Sequence, residues 1–491
     1  MVFSNLLFIY LFFPLSLLFC FLAKSIRAKN AVLLIFSLIF YAWGEPKYVF
    51  LLVFMSLADY VFARLVGKYR GINDKKARAA LAGAAVVSIG LIGIFKYGSF
   101  LCENTNALFG FPANVPQIAL PIGISFYTFQ LLTYVVDVYR GDAEAQTNFA
   151  NVLLYASLFH QCIAGPIVRY KDINDEIMMR TTDMNEIGRG IQRFAAGLAK
   201  KALLANVCGS LCDEFLIEES AANNLAALPE TLKTISSRPA LALWLGMIFY
   251  MLQIYLDFSA YSDMAIGMGQ MVGFHYKENF DYPYCSSSVT EFWRRWHISL
   301  GTFFRDYVYI PLGGNRKGKA RQILNMFIVW GLTGLWHGAS WNYVLWGLYF
   351  FVFLTLEKLF LKKVLDRLPR VFSSIYLLAV VFFGWILFRF HSLEAVGAVL
   401  KGMFCVGTNA FTTFETTSML KNNVFFLAVA VFATLPAVKK LGIFISEKAN
   451  ESRAAYLIQS IGQVVVPPVL LVLSTLSLVG DSYNPFLYFQ F

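Results

Sequence analysis

The chain has 491 residues, of which 58% are apolar, 17% aromatic and only 14% charged. Soluble domains carry roughly 45–50% apolar and about 25% charged residues, so a soluble enzyme, a disordered regulator and a secreted disulfide scaffold are excluded in favour of a polytopic membrane protein. The net charge of +11 lies in short Lys/Arg clusters between apolar runs, which is the positive-inside pattern and not a nucleic-acid-binding face.

In chain order, apolar runs predict twelve spanning helices near 5–22, 31–44, 48–66, 80–97, 119–139, 190–212, 240–270, 322–339, 342–360, 372–390, 422–438 and 456–480. The first run lacks a basic n-region and a small-residue cleavage site, so it reads as a retained helix. Basic connectors occur at Lys24–Lys29, Arg64–Arg78, Arg294–Arg321, Lys358–Arg370 and Lys439–Lys440, and these belong in the cytoplasm. The acidic connector 213–237 belongs outside, and both termini then fall outside as well.

Residues 151–168 are apolar but break this alternation, and they contain His160, Gln161, Gly165 and Pro166. They read as a re-entrant element, tolerable where protein or water satisfies the backbone. His160 and Gln161 would then face an aqueous vestibule. Residues 273–321 are too polar to span and too long for an ordinary loop, and their many aromatic residues predict amphipathic helices at the cytoplasmic surface. The whole is an all-α integral-membrane domain: N-terminal spans over 1–150, a core over 151–390, and C-terminal spans with an outer tail over 391–491.

Seven cysteines show no Cys-x-x-Cys and no paired histidine spacing, so neither a metal site nor a disulfide framework is expected. Five histidines occur. His275 and His391 sit at span ends as interfacial residues. His337 is different, because Leu332-Thr333-Gly334-Leu335-Trp336-His337-Gly338-Ala339 places an ionisable ring inside a span, where such groups face the bundle interior. Gly334 and Gly338 leave room for a ligand or a neighbouring backbone. His297 ends Glu291-Phe292-Trp293-Arg294-Arg295-Trp296-His297; as a helix this puts Trp293, Trp296 and Leu300 on one face. Downstream, Arg305 and the run Pro311-Leu312-Gly313-Gly314-Asn315-Arg316-Lys317-Gly318-Lys319 can hold phosphates through backbone amides and charge, or can act as an orientation signal.

These blocks, together with Phe304-Arg305-Asp306-Tyr307 and Pro121-Ile122-Gly123-Ile124-Ser125-Phe126-Tyr127, resemble the signatures of membrane-bound O-acyltransferases. More narrowly they resemble the bacterial alginate O-acetyltransferase subfamily, with its peptidoglycan and cellulose acetylation members; teichoic acid D-alanyl transfer proteins are more distant. The resemblance implies an inner-membrane helical bundle around a central cavity, with His337 catalytic and His297 its polar partner. It implies acetyl-CoA as cytoplasmic donor, with Arg305, Arg316, Lys317 and Lys319 available for its phosphates. An extracytoplasmic acetyltransferase is the implied partner and a polysaccharide the indirect acceptor, with no resident cofactor or metal. A D-alanyl-transfer-like or a lipid- or protein-directed acyltransferase of the same superfamily is the alternative. A transporter is disfavoured because the spans are nearly free of charge apart from Asp59, Asp137 and Asp257. The final Phe486-Leu487-Tyr488-Phe489-Gln490-Phe491 is either an aromatic anchor or, by resemblance to the partner peptide of the D-alanylation system, a relay in which Tyr488 takes the acyl group.

Overall fold

A computed structural model describes residues 2–110, 115, 118–163, 165–407 and 410–480. Tyr488 lies outside the described residues. Among them, regular structure is entirely helical. All twelve predicted spans fall on helices, and eight of these helices are at least 18 residues long and apolar enough to cross a bilayer. The other four (near 5–22, 119–139, 190–212 and 322–339) are helical but shorter or more polar. Outward-facing Phe50, Val86, Phe425 and Val464 are each more than 70% exposed, an arrangement costly in water and natural in lipid.

The chain packs as two compact units, residues 1–197 with 261–278, and 198–260 with 279–491. The first unit contains α1 (Phe13–Leu22), α2 (Ile26–Gly44), α3 (Val49–Tyr69), α4 (Asp74–Phe109), α5 (Ile124–Arg140), α6 (Phe149–Ser157), α7 (Tyr170–Met178) and most of α8 (Met184–Ala199). Ser25 and Asn73 cap α2 and α4 by accepting the backbone N–H three residues on. Phe3, Phe8, Phe40, Phe159 and Tyr261 form its aromatic centre.

The segment 151–168 does not cross as a helix. At nine residues, α6 reaches only about 14 Å, against a hydrocarbon core of ~30 Å. The chain beyond Ser157 is irregular and satisfied by protein: Phe159 N–H donates to Ser37 Oγ at 3.2 Å, and the Tyr155 hydroxyl reaches the Val168 carbonyl at 2.9 Å. His160 and Gln161 are fully buried, beside Tyr276 and the Tyr155 carbonyl respectively. The expected vestibule at these residues is therefore absent, because the surrounding helices fill the space.

At the edge of this unit His275 lies between Glu176 of α7 and Glu186 of α8, at 2.8 and 3.1 Å. Arg180 donates to Asn30 and to the Val272 carbonyl and covers Phe274.

The second unit contains α9 (Asn206–Phe215), the larger, N-terminal part of α10 (Ala240–Met271), α11 (Val289–Arg295), α12 (Ile298–Phe304), α13 (Lys319–His337), α14 (Trp341–Leu356), α15 (Arg370–Arg389), α16 (Leu393–Met403), α17 (Phe414–Ala433), α18 (Ala437–Ala449) and α19 (Arg453–Gly480). Two groups of its buried charges are ion-paired, as suits intramembrane charges: Lys201 with Asp257 at 2.8 Å, and Arg389 with Asp213 and Glu219 at 2.7 and 3.2 Å. The 273–321 stretch does form short helices, but Val289, Phe292, Leu300, Phe303 and Phe304 are buried in protein.

Candidate active site

Helix α13 starts in the basic Gly318-Lys319-Ala320-Arg321 turn and ends at His337. It pairs with α14 across a short turn. A Cβ on Gly334 would lie 2.3 Å from the Tyr343 carbonyl oxygen, and one on Gly347 the same distance from the Trp330 carbonyl. Glycine at both positions is what lets the backbones meet. The space beside Gly334 and Gly338 thus belongs to Tyr343, not to a ligand.

His337 is 5% exposed. Trp346 and Phe388 meet its ring edge-on, with centroids at 4.9 and 5.1 Å. Trp336 lies against both motif histidines, 4.8 Å from His337 and 5.7 Å from His297.

His297 does not continue the helix before it. α11 stops at Arg295, and His297 takes a left-handed φ of 44° as the first residue outside α12. For a non-glycine residue this costs about 1–3 kcal/mol and persists only when neighbours enforce it. Asn279, fully buried, is that neighbour: its Oδ1 accepts the Ser299 N–H at 3.2 Å and the Ser299 hydroxyl at 2.8 Å, and its carbonyl accepts Ile298 N–H at 2.9 Å. Because a backbone donor fixes Oδ1 as the oxygen, Nδ1 of His297, 3.1 Å away, is the donor. The Nε2 lone pair is left as the basic position. Burial lowers the His297 pKa to about 3, so the ring stays neutral.

An open cleft of about 190 Å³ reaches this histidine, lined by Trp293, Trp296, His297, Leu300, Gly301, Phe304, Arg305, Tyr309, Met326, Val329, Trp330 and Thr333. Met326, Val329, Trp330 and Thr333 recur at helical spacing along one face of α13. His337 stands one turn beyond Thr333 on that face, past the inner end of the cleft. Trp293, Trp296 and Leu300 share this wall as expected, although across a break and not along one helix.

Arg305 lines the cleft and is ion-paired with Asp306 at 2.7 Å. Arg316 and Lys317 on the following loop and Lys319 at the start of α13 are exposed and are not part of the cleft wall. The loop amides expected to hold phosphate are used internally. Gly313, Gly314 and Arg316 N–H donate to the carbonyls of Ile310, Tyr309 and Gly313. Of those three positions only Arg316, through its side chain, retains charge for an anion. Asn325 of α13 clamps the loop by donating to the Gly314 carbonyl at 2.9 Å.

Two residues that support the site carried no sequence signal. One is Asn279. The other is Glu357, buried at the far end of α14, which accepts from Val289 and Thr290 N–H at 2.7 and 2.9 Å and so anchors the start of α11. Among the described residues no cluster of three or more His, Cys, Asp or Glu could hold a metal ion, and all seven cysteines are free.

The profile of the membrane-bound O-acyltransferase family, MBOAT, matches residues 142–399, which include the cleft and both histidines. The chain belongs to the membrane-bound O-acyltransferase family. It is 35% identical to the probable alginate O-acetylase AlgI of Pseudomonas putida, over 100% of both chains. It is 37% identical to the probable alginate O-acetylase AlgI of Pseudomonas aeruginosa, over 83% of this chain and 76% of that one. With the peptidoglycan O-acetyltransferase of Helicobacter pylori it shares 28% identity, over 100% of this chain and 98% of that one. The resemblance carried by the motif blocks thus extends along the whole chain. As a member of this family the protein is a multi-pass membrane O-acyltransferase.

Proposed function

We propose that this membrane-bound O-acyltransferase moves acetyl groups from cytoplasmic acetyl-CoA across the bacterial inner membrane to an extracytoplasmic acetyltransferase, for O-acetylation of a polysaccharide. The observation that carries the reading is the cleft, which runs along α13 from Arg305 and Tyr309 past His297 to Thr333, one turn short of His337. The basic turn that opens α13 belongs in the cytoplasm by the positive-inside rule, so the cleft faces the donor compartment and both termini lie outside. The apolar walls suit a thioester arm, and Arg305, with Arg316, Lys317 and Lys319 outside the cleft, supplies charge for the phosphates of coenzyme A.

Acetyl transfer from a thioester needs a base for the attacking hydroxyl and a donor for the departing sulfur. His337 takes the proton from the hydroxyl, whose oxygen attacks the thioester carbonyl carbon. The C–S bond then breaks, and the thiolate leaves with the proton held by His337. His297 orients the thioester from the cytoplasmic side. The attacking hydroxyl is that of Tyr488, giving an aryl ester; phenoxide, with a pKa near 10, leaves readily to the nucleophile of the partner enzyme.

Purified protein supplied with radiolabelled acetyl-CoA should release free coenzyme A and retain label on the chain, and His337→Ala should abolish both. Tyr488→Phe should remove the retained label and the surface ester acetate of intact cells. Full surface acetylation in His337→Ala cells would refute the base, and in Tyr488→Phe cells the relay. No coenzyme A release by wild type would refute the donor.

A further inference from the structure

Beyond the inner end of the cleft, His337 is backed by a second polar pair. The Tyr343 hydroxyl lies 3.2 Å from Nε2 of His391. Tyr343 is 2% exposed, and it grips the turn that carries His337 at two points. Its carbonyl oxygen fills the space a Cβ on Gly334 would need, and its ring fills that beside Gly338, 2.4 Å from a built Cβ. Phe388 touches both partners, with its centroid 5.1 Å from His337 and 5.1 Å from Tyr343.

His391 is not the free interfacial residue its position at a span end suggests. Its backbone N–H donates to Asn223 Oδ1 at 3.0 Å, and Arg389 two residues earlier is locked to Asp213 and Glu219. Burial lowers its pKa, so a neutral ring shares the Nε2–hydroxyl hydrogen bond with the tyrosine, in the direction its tautomer sets.

We propose that His391, acting through the Tyr343 hydroxyl, is a positioning residue for His337: it fixes the extended Gly338 backbone so that the catalytic imidazole faces the cleft. The inference rests on the reading of His337 as the base. A misplacement of about 1 Å at a reacting group costs roughly 10²-fold in rate, whereas donor binding, made along the cleft, is untouched.

The test compares wild type with Tyr343→Phe, His391→Ala, His391→Gln and the double variant Tyr343→Phe/His391→Ala, as purified full-length proteins. Two readouts are taken: coenzyme A release from acetyl-CoA, and the rate at which diethylpyrocarbonate modifies His337, followed by mass spectrometry with exposed His275 as internal control. Tyr343→Phe and His391→Ala should lower kcat by roughly 10- to 100-fold with KM for acetyl-CoA within about twofold. The double variant should be no worse than either single one, because both remove the same contact. His391→Gln, which keeps a polar group near Nε2, should recover part of the loss. The His337 modification rate should change several-fold in the two single variants while that of His275 stays constant.

Wild-type kcat and unchanged His337 reactivity in Tyr343→Phe would overturn the inference. So would losses in kcat and KM together accompanied by a lower melting temperature, which would make the pair structural. If wild type releases no coenzyme A, the donor assignment fails separately, and the His337 modification rates still decide the positioning role.

Discussion

Asn279 holds His297 in a backbone conformation that histidine does not choose for itself. The left-handed φ of 44° at His297 coincides with three hydrogen bonds that Asn279 accepts from the start of α12 and with the 3.1 Å approach of Oδ1 to Nδ1. One buried amide therefore sets the position and the tautomer of the histidine that lines the cleft, while burial keeps its ring neutral.

Replacing Asn279 with Asp tests this link. A carboxylate at that distance favours the imidazolium, so the His297 pKa rises from about 3, by roughly 1–3 units. Wild type should show no acid limb from His297 above pH 5. Asn279→Asp should lose activity progressively as pH falls through the new value and recover it at higher pH. A flat pH–rate profile in the variant would show that His297 does not take part.

Arg305 and the downstream loop separate cleanly by position. Arg305→Gln should raise KM for acetyl-CoA by about 10-fold, equivalent to about 1.4 kcal/mol, with kcat unchanged, since Arg305 lines the cleft. Neutralising Arg316, Lys317 and Lys319 together should change KM less and mainly at low ionic strength, where exposed charges act over distance. Equal effects of the two sets would assign the phosphates to the loop.

The close helix crossing at Gly334 should tolerate no side chain. Gly334→Ala puts a Cβ against the Tyr343 backbone, and overpacking of this kind costs about 1–3 kcal/mol. Thermal melting in detergent should drop, with activity falling further because His337 lies three residues on. An unchanged melt would mean that α13 and α14 can part without penalty.

His275 makes the protein's stability depend on pH in a defined direction. Partial burial works against its charged form, but hydrogen bonds to Glu176 and Glu186 outweigh this and raise its pKa above 6.5. The folded state thus holds the proton more tightly than the unfolded chain. The stabilisation is complete below pH 6.5 and fades as pH rises through the folded value. Melting temperature should fall between about pH 6 and pH 8 in wild type, and less steeply in His275→Gln.

Which parts of this were legible in the chain follows from how local each signal is. Hydropathy placed helices at all twelve expected runs, because in lipid a segment must satisfy its own backbone and an apolar run of sufficient length has no alternative to a helix. The two histidines were marked by the Trp-His-Ile-Ser and Trp-His-Gly-Ala blocks, and family membership followed from the same residues. What these histidines touch depends on residues brought from elsewhere. Asn279, Glu357, Tyr343 and His391 look ordinary in sequence, and each acquires its role only when folding places it against a partner 18 to 68 positions away. The break between α11 and α12 was likewise invisible, since Trp293, Trp296 and Leu300 keep helical spacing, and only the buried Asn279 makes the left-handed turn at His297 affordable. Local chemistry thus determined the solvent, the helices and the reactive groups. Tertiary packing decided which nitrogen of His297 is basic, that Gly334 and Gly338 serve a neighbouring helix, and that Arg305 alone of the four expected cations lines the cleft, because each depends on what fills the adjacent space.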